Sequence, residues 1–405
     1  MDRIRETVLD LLANELFQAG RRIQEDVDWE QVFQECRRQT VTVHGWNQVC
    51  NMDFLPEAVR KDWGQAAVGD AFHNLQVSWE HGALGGSMEK AGIPYVILKG
   101  CASAAYYPRP EDRIMGDVDL LVRPEDLDRA GRVLEGDGFL LENDTHVHHR
   151  AYVRERTETE LHFAVGGIPW GEPGKRVRGY LEGILEESRE IPVEGGGVRV
   201  PSHFHHGLNL LLHTNQHLLG EGLGLRHLCD WAVFAAGFSD EEFRELFEEK
   251  LKAVGLWRFA RTLTQTAVRY LGCPPKAWAG EPDRRITEAL MEEIGDSGNF
   301  GRKQEGRFYE SLLIASQEKR MVSRKSMGGQ LIRSMNEMVR RRWPAAGKFP
   351  LLLPPGWIFL GGRYLIRVAR GKRPPVHPGQ ILRQAGERKR RYRALGLFET
   401  EEQRP

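Results

Sequence analysis

Apolar residues recur at helical spacing through the first ninety positions. Ile4, Val8, Leu11 and Leu12 fall on one face of a 3.6-residue repeat, and Trp29, Val32 and Phe33 begin another. Residues 1–91 therefore read as a helical lead-in whose longest helix occupies residues 56–90. The period then changes. Ile93-Pro94-Tyr95-Val96-Ile97-Leu98 is a short, nearly unbroken apolar run of the kind a buried strand makes. Lys99-Gly100 reads as a tight exit from it, and residues 101–106 as a small-residue helix start. Strand and helix signals alternate across residues 92–201, ending in two β-branched runs, 190–193 and 198–201, around Glu194-Gly195-Gly196-Gly197, which predicts a hairpin. Helical spacing returns over residues 202–316, with Trp257, Phe259, Leu263 and Tyr270 as core candidates, and residues 317–405 form a tail. The expected class is α+β: a small mixed-sheet core with a helical N-terminal segment and a helical C-terminal domain.

Composition narrows the setting. A 405-residue chain with 40% hydrophobic and 28% charged residues has material for two or three soluble domains. Its five cysteines are scattered with no Cys-x-x-Cys pair, which predicts reduced thiols in a cytoplasmic protein and neither disulfides nor a cysteine zinc site. The first residues lead into an amphipathic helix and not an apolar signal segment. Residues 349–360, the longest apolar run, are broken by Pro350, Pro354 and Pro355 and are too short to span a bilayer. The zero net charge conceals a division: residues 319–393 hold twenty Lys or Arg against Glu337 and Glu387, a local net of +18 that leaves −18 for the rest. Such a tail suits nucleic acid, a polyanionic substrate, membrane headgroups or the chain's own acidic body. Trp343, Phe349, Trp357, Phe359 and Tyr364 lie within it, and aromatic content favours docking on the body.

The chemistry is concentrated in Gly116-Asp117-Val118-Asp119-Leu120-Leu121-Val122. Strand side chains alternate faces, so Asp117 and Asp119 emerge together, about 7 Å apart or less, while Val118 and Leu120 enter the core. Like charges that close repel unless a cation lies between them, and oxygen-only ligands suit Mg²⁺ or Mn²⁺. A solvated strand end is the other reading of the Asp-x-Asp alone. Six histidines, His203, His205, His206, His213, His217 and His227, cluster further on. His213 and His217 share a helix face, yet no glutamate of the zinc-protease pattern separates them. Packing, capping, a substrate pocket and a structural metal all remain open for this set.

These motifs resemble the polymerase-β-like nucleotidyltransferase superfamily, and within it a branch of largely uncharacterised bacterial nucleotidyltransferases. The matching positions are Leu98, Lys99, Gly100, Arg113, Gly116, Asp117, Asp119, Leu120, Leu121 and Val122, then Arg123-Pro124-Glu125-Asp126-Leu127, and Glu160-Leu161-His162-Phe163. Cys101 stands where more distant relatives carry a serine. The resemblance implies an enzyme that moves an NMP from an NTP to an acceptor with release of pyrophosphate. It implies Asp117, Asp119 and Glu160 as catalytic, Mg²⁺- or Mn²⁺-holding carboxylates, with Glu158 as the rival third one on the same strand face. Lys99, Gly100, Ser103 and Arg113 would bind the substrate, the two cations neutralising triphosphate or pairing with the acidic cluster. A small-molecule or protein acceptor is favoured over nucleic acid, since no zinc finger, RNA-recognition or helix-turn-helix signature is present. The alternative is a non-catalytic nucleotide-binding or nucleic-acid-binding protein using the basic C-terminal region.

Overall fold

The computed structural model describes residues 2–144, 146, 148–155, 157–169, 171–219, 222–297, 335–336, 339–340, 343, 345–369 and 395. The chain opens with α1 (Arg3–Phe17) and α2 (Trp29–Arg38), each started by an aspartate, Asp2 and Asp28, whose side chain accepts a hydrogen bond from a backbone N–H of the first turn. After α3 (Thr42–Val49) comes the 34-residue α4 (Glu57–Lys90), which begins beyond Pro56. Pro56 lacks only an N–H that a helix start leaves unused.

A five-stranded sheet follows: β1 (Tyr95–Ile97), β2 (Val118–Val122), β3 (Leu140–Asn143), β4 (His149–Arg154) and β5 (Thr157–His162). The short helix α5 (Cys101–Ala104) lies between β1 and β2, and α6 (Leu127–Gly136) between β2 and β3. Strand order is β1-β2-β5-β4-β3. Only β2 and β5 run parallel; the other neighbours are antiparallel. After α7 (Glu172–Leu181), the hairpin β6 (Arg189–Val193) and β7 (Gly196–Val200) forms where the sequence places one, as a separate two-stranded sheet. Its turn uses Gly195 at φ +86°, a conformation that glycine adopts without strain. The hairpin packs closely on α4: a Cβ at Gly82 would stand 2.7 Å from the Glu194 carbonyl oxygen.

All five residues of β2 are buried, so the sheet is covered on both faces. Val118, Leu120 and Val122 join Ile97, Leu161, Leu84, Met88, Ala130 and Leu134 in one core. Val96, Leu98 and Leu121 point the other way, into a larger core shared with the helical body. That body is α8 (His203–Leu219), α9 (Leu225–Ala236), α10 (Asp240–Phe243), a π turn (Arg244–Glu248), α11 (Glu249–Ala253), α12 (Trp257–Leu271) and α13 (Arg284–Ser297). Trp257, Phe259 and Leu263 are buried in it, and Tyr270 is half-buried against it. Val8, Leu11, Leu12 and Trp63 enter this same core, so the first helices and the helical body share one interior.

Further along, Val339, Ala346 and Leu353 cluster with Trp343, Trp357 and Leu360, and the Trp357 indole N–H donates to Asn336 Oδ1. Phe349 and Phe359 are exposed. Most of the basic segment 317–405, and with it the expected docking on the body, lies outside the described residues. Among the described residues no helix is long and apolar enough to cross a membrane.

Candidate active site

Asp119 on β2 and Glu160 on β5 are direct register partners on neighbouring parallel strands. Asp117 immediately precedes β2, and carboxylate oxygens of all three residues lie within 4.8 Å of one another. Strand pairing thus brings together residues forty positions apart with no help from a loop. The cluster borders a cavity of about 310 Å³. Lys99, Gly100, Ser103 and Arg113 line it too, while α8 contributes Asn209, His213 and His217, and α9 Arg226, His227 and Asp230. Glu158 is exposed, pairs with Val153, and does not line the cavity.

Each carboxylate has a different electrostatic setting. Lys99 Nζ donates to Asp119 Oδ1 at 2.7 Å, and His162 Nε2 stands 3.0 Å from the same oxygen. Burial disfavours the Asp119 charge, but Lys99 and the His162 hydrogen bond hold its carboxyl well below the usual range. His162 Nε2 is also 3.0 Å from Glu160 Oε2, while His149 Nε2 lies 3.3 Å from Glu160 Oε1. His149 and His162 are themselves opposed across β4 and β5. Burial works against a charged His162, yet the hydrogen bonds to Asp119 and Glu160 push it up to about 9. Asp117 has no such partner: the charge of Asp119, and then burial, raise it to about 6. The donor set is oxygen-only, and one carboxylate carries repulsion that its neighbours do not relieve, which fits a hard divalent cation such as Mg²⁺ or Mn²⁺.

The cations sort differently from one another. Lys99 faces the carboxylate cluster. Arg113 is buried, and its fork grips Asp230 of α9 through Nε to Oδ1 and Nη2 to Oδ2, both at 2.7 Å. Tyr107 donates its hydroxyl to the same carboxylate at 2.7 Å. Against the cost of burial, Arg113 holds Asp230 down to about 2. Arg226 borders the cavity and donates from Nη1 to the Ile114 carbonyl at 3.1 Å.

Gly100 takes φ +57° and ψ −115° between β1 and α5, and a Cβ there would stand 2.7 Å from two atoms of the His81 ring. Its backbone N–H groups lead into a helix of only four residues. The Ser103 hydroxyl is buried with no hydrogen-bond partner among the described residues. His162, two residues on from Glu160, shares its strand face. Asn209 carried no local signal, because the meeting of helix and sheet brings it here, and neither did His149, which the pairing of β4 with β5 brings.

A family model described as "Uncharacterised nucleotidyltransferase" matches residues 25–272, which include every cavity residue named above. No curated protein and no solved structure matches.

Proposed function

The chain belongs to this uncharacterised nucleotidyltransferase family, and from that premise we propose that it transfers an NMP from an NTP to an acceptor with release of pyrophosphate, dependent on a divalent metal. What carries the reading is the register of Asp119 against Glu160 beside Asp117, three carboxylates gathered in one cavity.

In this reading Asp117 and Asp119 would hold the nucleotide-side ion, and both with Glu160 the acceptor-side ion. A bound Mg²⁺ or Mn²⁺ supplies Lewis-acid polarisation of the α-phosphoryl group and lowers the pKa of the acceptor oxygen. Lys99 and Arg226 place positive charge where the triphosphate is negative, while Gly100 and Ser103 bring backbone and hydroxyl donors to the same rim. Arg113, engaged by Asp230, braces the wall from which Arg226 projects. His162 fixes the orientation of both Asp119 and Glu160 by bridging them. The acceptor oxygen attacks the α-phosphorus, the bond to the β-phosphate oxygen breaks, and the pyrophosphate departs with that oxygen. A small molecule or a protein hydroxyl is the favoured acceptor.

The test uses the full chain with α-labelled ATP, GTP, CTP and UTP, Mg²⁺ or Mn²⁺, and panels of small hydroxylic compounds, proteins and RNA. Divalent-dependent transfer of label, lost in Asp117→Asn and Asp119→Asn, is expected. Transfer that survives in either variant, or that proceeds in chelator, overturns the assignment.

A further inference from the structure

The helices α8 and α9 bring three histidines to the same cavity. His213 and His217 stand one turn apart on α8, and His227 reaches them from the first turn of α9. Ring centroids are 4.4 Å apart for His213 and His217, 4.6 Å for His217 and His227, and 5.4 Å for His213 and His227. One nitrogen from each lies within 4.8 Å of the other two. His227 is buried, and neither of its ring nitrogens has a hydrogen-bond partner among the described residues; nor has His217 Nδ1. Buried imidazole nitrogens are ordinarily paired, so three rings gathered around unpaired nitrogens want a ligand.

We propose that His213, His217 and His227 form a second metal site, for a borderline-soft divalent ion of the Zn²⁺ class, with its open coordination position facing the cavity. Imidazole nitrogen selects Zn²⁺, Co²⁺ or Ni²⁺ over Mg²⁺, which prefers oxygen. Three protein ligands and one free position make the arrangement of an accessible zinc site. Zinc–nitrogen bonds of 2.0–2.1 Å at tetrahedral angles bring ligand nitrogens to about 3.3 Å apart, a contraction that side-chain rotation supplies. Neutral imidazole is the form that ligates.

The site stands apart from the transfer reaction, and so does its test. The full chain, freed of any polyhistidine tag and treated with chelator, is titrated with Co²⁺ followed by visible absorption, and with Zn²⁺ against a chromophoric chelator. One equivalent of Co²⁺ with tetrahedral d–d bands is expected, and Zn²⁺ binding tighter than micromolar. His213→Gln and His217→Gln, both half-buried at the cavity surface, should each lose at least about 100-fold in affinity while melting as wild type in chelator. Asp117→Asn should bind as wild type. Absence of stoichiometric binding overturns the proposal, as does wild-type affinity in both histidine variants. Loss of binding in Asp117→Asn overturns it too, by placing the ion among the carboxylates.

Discussion

Asp117 and Asp119 are equivalent in the sequence pattern and opposite in the structure. Asp117 is held in repulsion by its neighbour, whereas Asp119 is the buried anchor of Lys99 and His162. Replacing Asp117 by Asn should therefore raise the stability of the metal-free protein by about 1 kcal/mol while abolishing transfer. Asp119→Asn should also abolish transfer but cost about 3 kcal/mol, because Lys99 loses its buried partner. Urea unfolding in chelator separates the two; equal shifts would remove the asymmetry. Glu160→Gln should lower turnover far more than NTP affinity, and Glu158→Gln, exposed and away from the cavity, should be mild. Kinetics in which Glu158→Gln is the inactive variant would move the third carboxylate two residues along the strand. At this scale Asp117 and Asp119 were legible as a pair because a period of two puts alternate residues on one face, whereas Glu160 came only with the family resemblance. The Arg113–Asp230 pair was not, since two charges 117 positions apart in the chain leave no local trace of their meeting.

Among elements, the turn from β1 into α5 is the least tolerant. Gly100 combines a positive φ with a histidine ring 2.7 Å from where a Cβ would sit. Gly100→Ala should cost at least about 2 kcal/mol in backbone strain and steric contact, lowering the melting temperature by several degrees and displacing Lys99 from Asp119. An alanine variant with wild-type melting and activity would show that the turn is not under this constraint. The long helix was readable to within a residue, 56–90 against Glu57–Lys90, because Pro56 marks its start. The hairpin was readable because Gly195 supplies its turn. Strand β3 gave no comparable signal: Leu140 and Leu141 are both exposed on this edge strand, so no apolar alternation marks it.

For the molecule as a whole, the buried histidines set a pH limit. Burial lowers His44 and His81 to about 4 and His206 to about 3, against 6.5 when unfolded. Below pH 6.5 the unfolded chain binds protons that the fold refuses, so stability falls as pH drops through 6.5, and the loss from these three rings is complete only below about 3. Each ring contributes about 1.4 kcal/mol per pH unit, so these three alone give a loss of about 3 kcal/mol at pH 5.5 after Asp117, released from repulsion below about 6, offsets a part, and the other buried histidines add to it. His162 acts at the other end: its stabilisation is complete below 6.5 and disappears as pH rises through about 9. Urea midpoints in chelator at pH 5.5, 7 and 9 should peak near neutrality, and a flat profile would contradict neutral burial. Helical periodicity revealed that both ends of the chain present apolar faces, but not that these faces meet, because periodicity specifies a stripe and not its partner. Their union has a consequence in time. Val8, Leu11, Leu12 and Trp63 leave the ribosome long before Phe259, Leu263 and Ile294, with which they share a core. At about 5–20 residues per second, some two hundred residues of synthesis separate them by about 10–40 s. For that interval the nascent N-terminal helices carry an apolar surface that the helices of residues 257–297 have yet to cover.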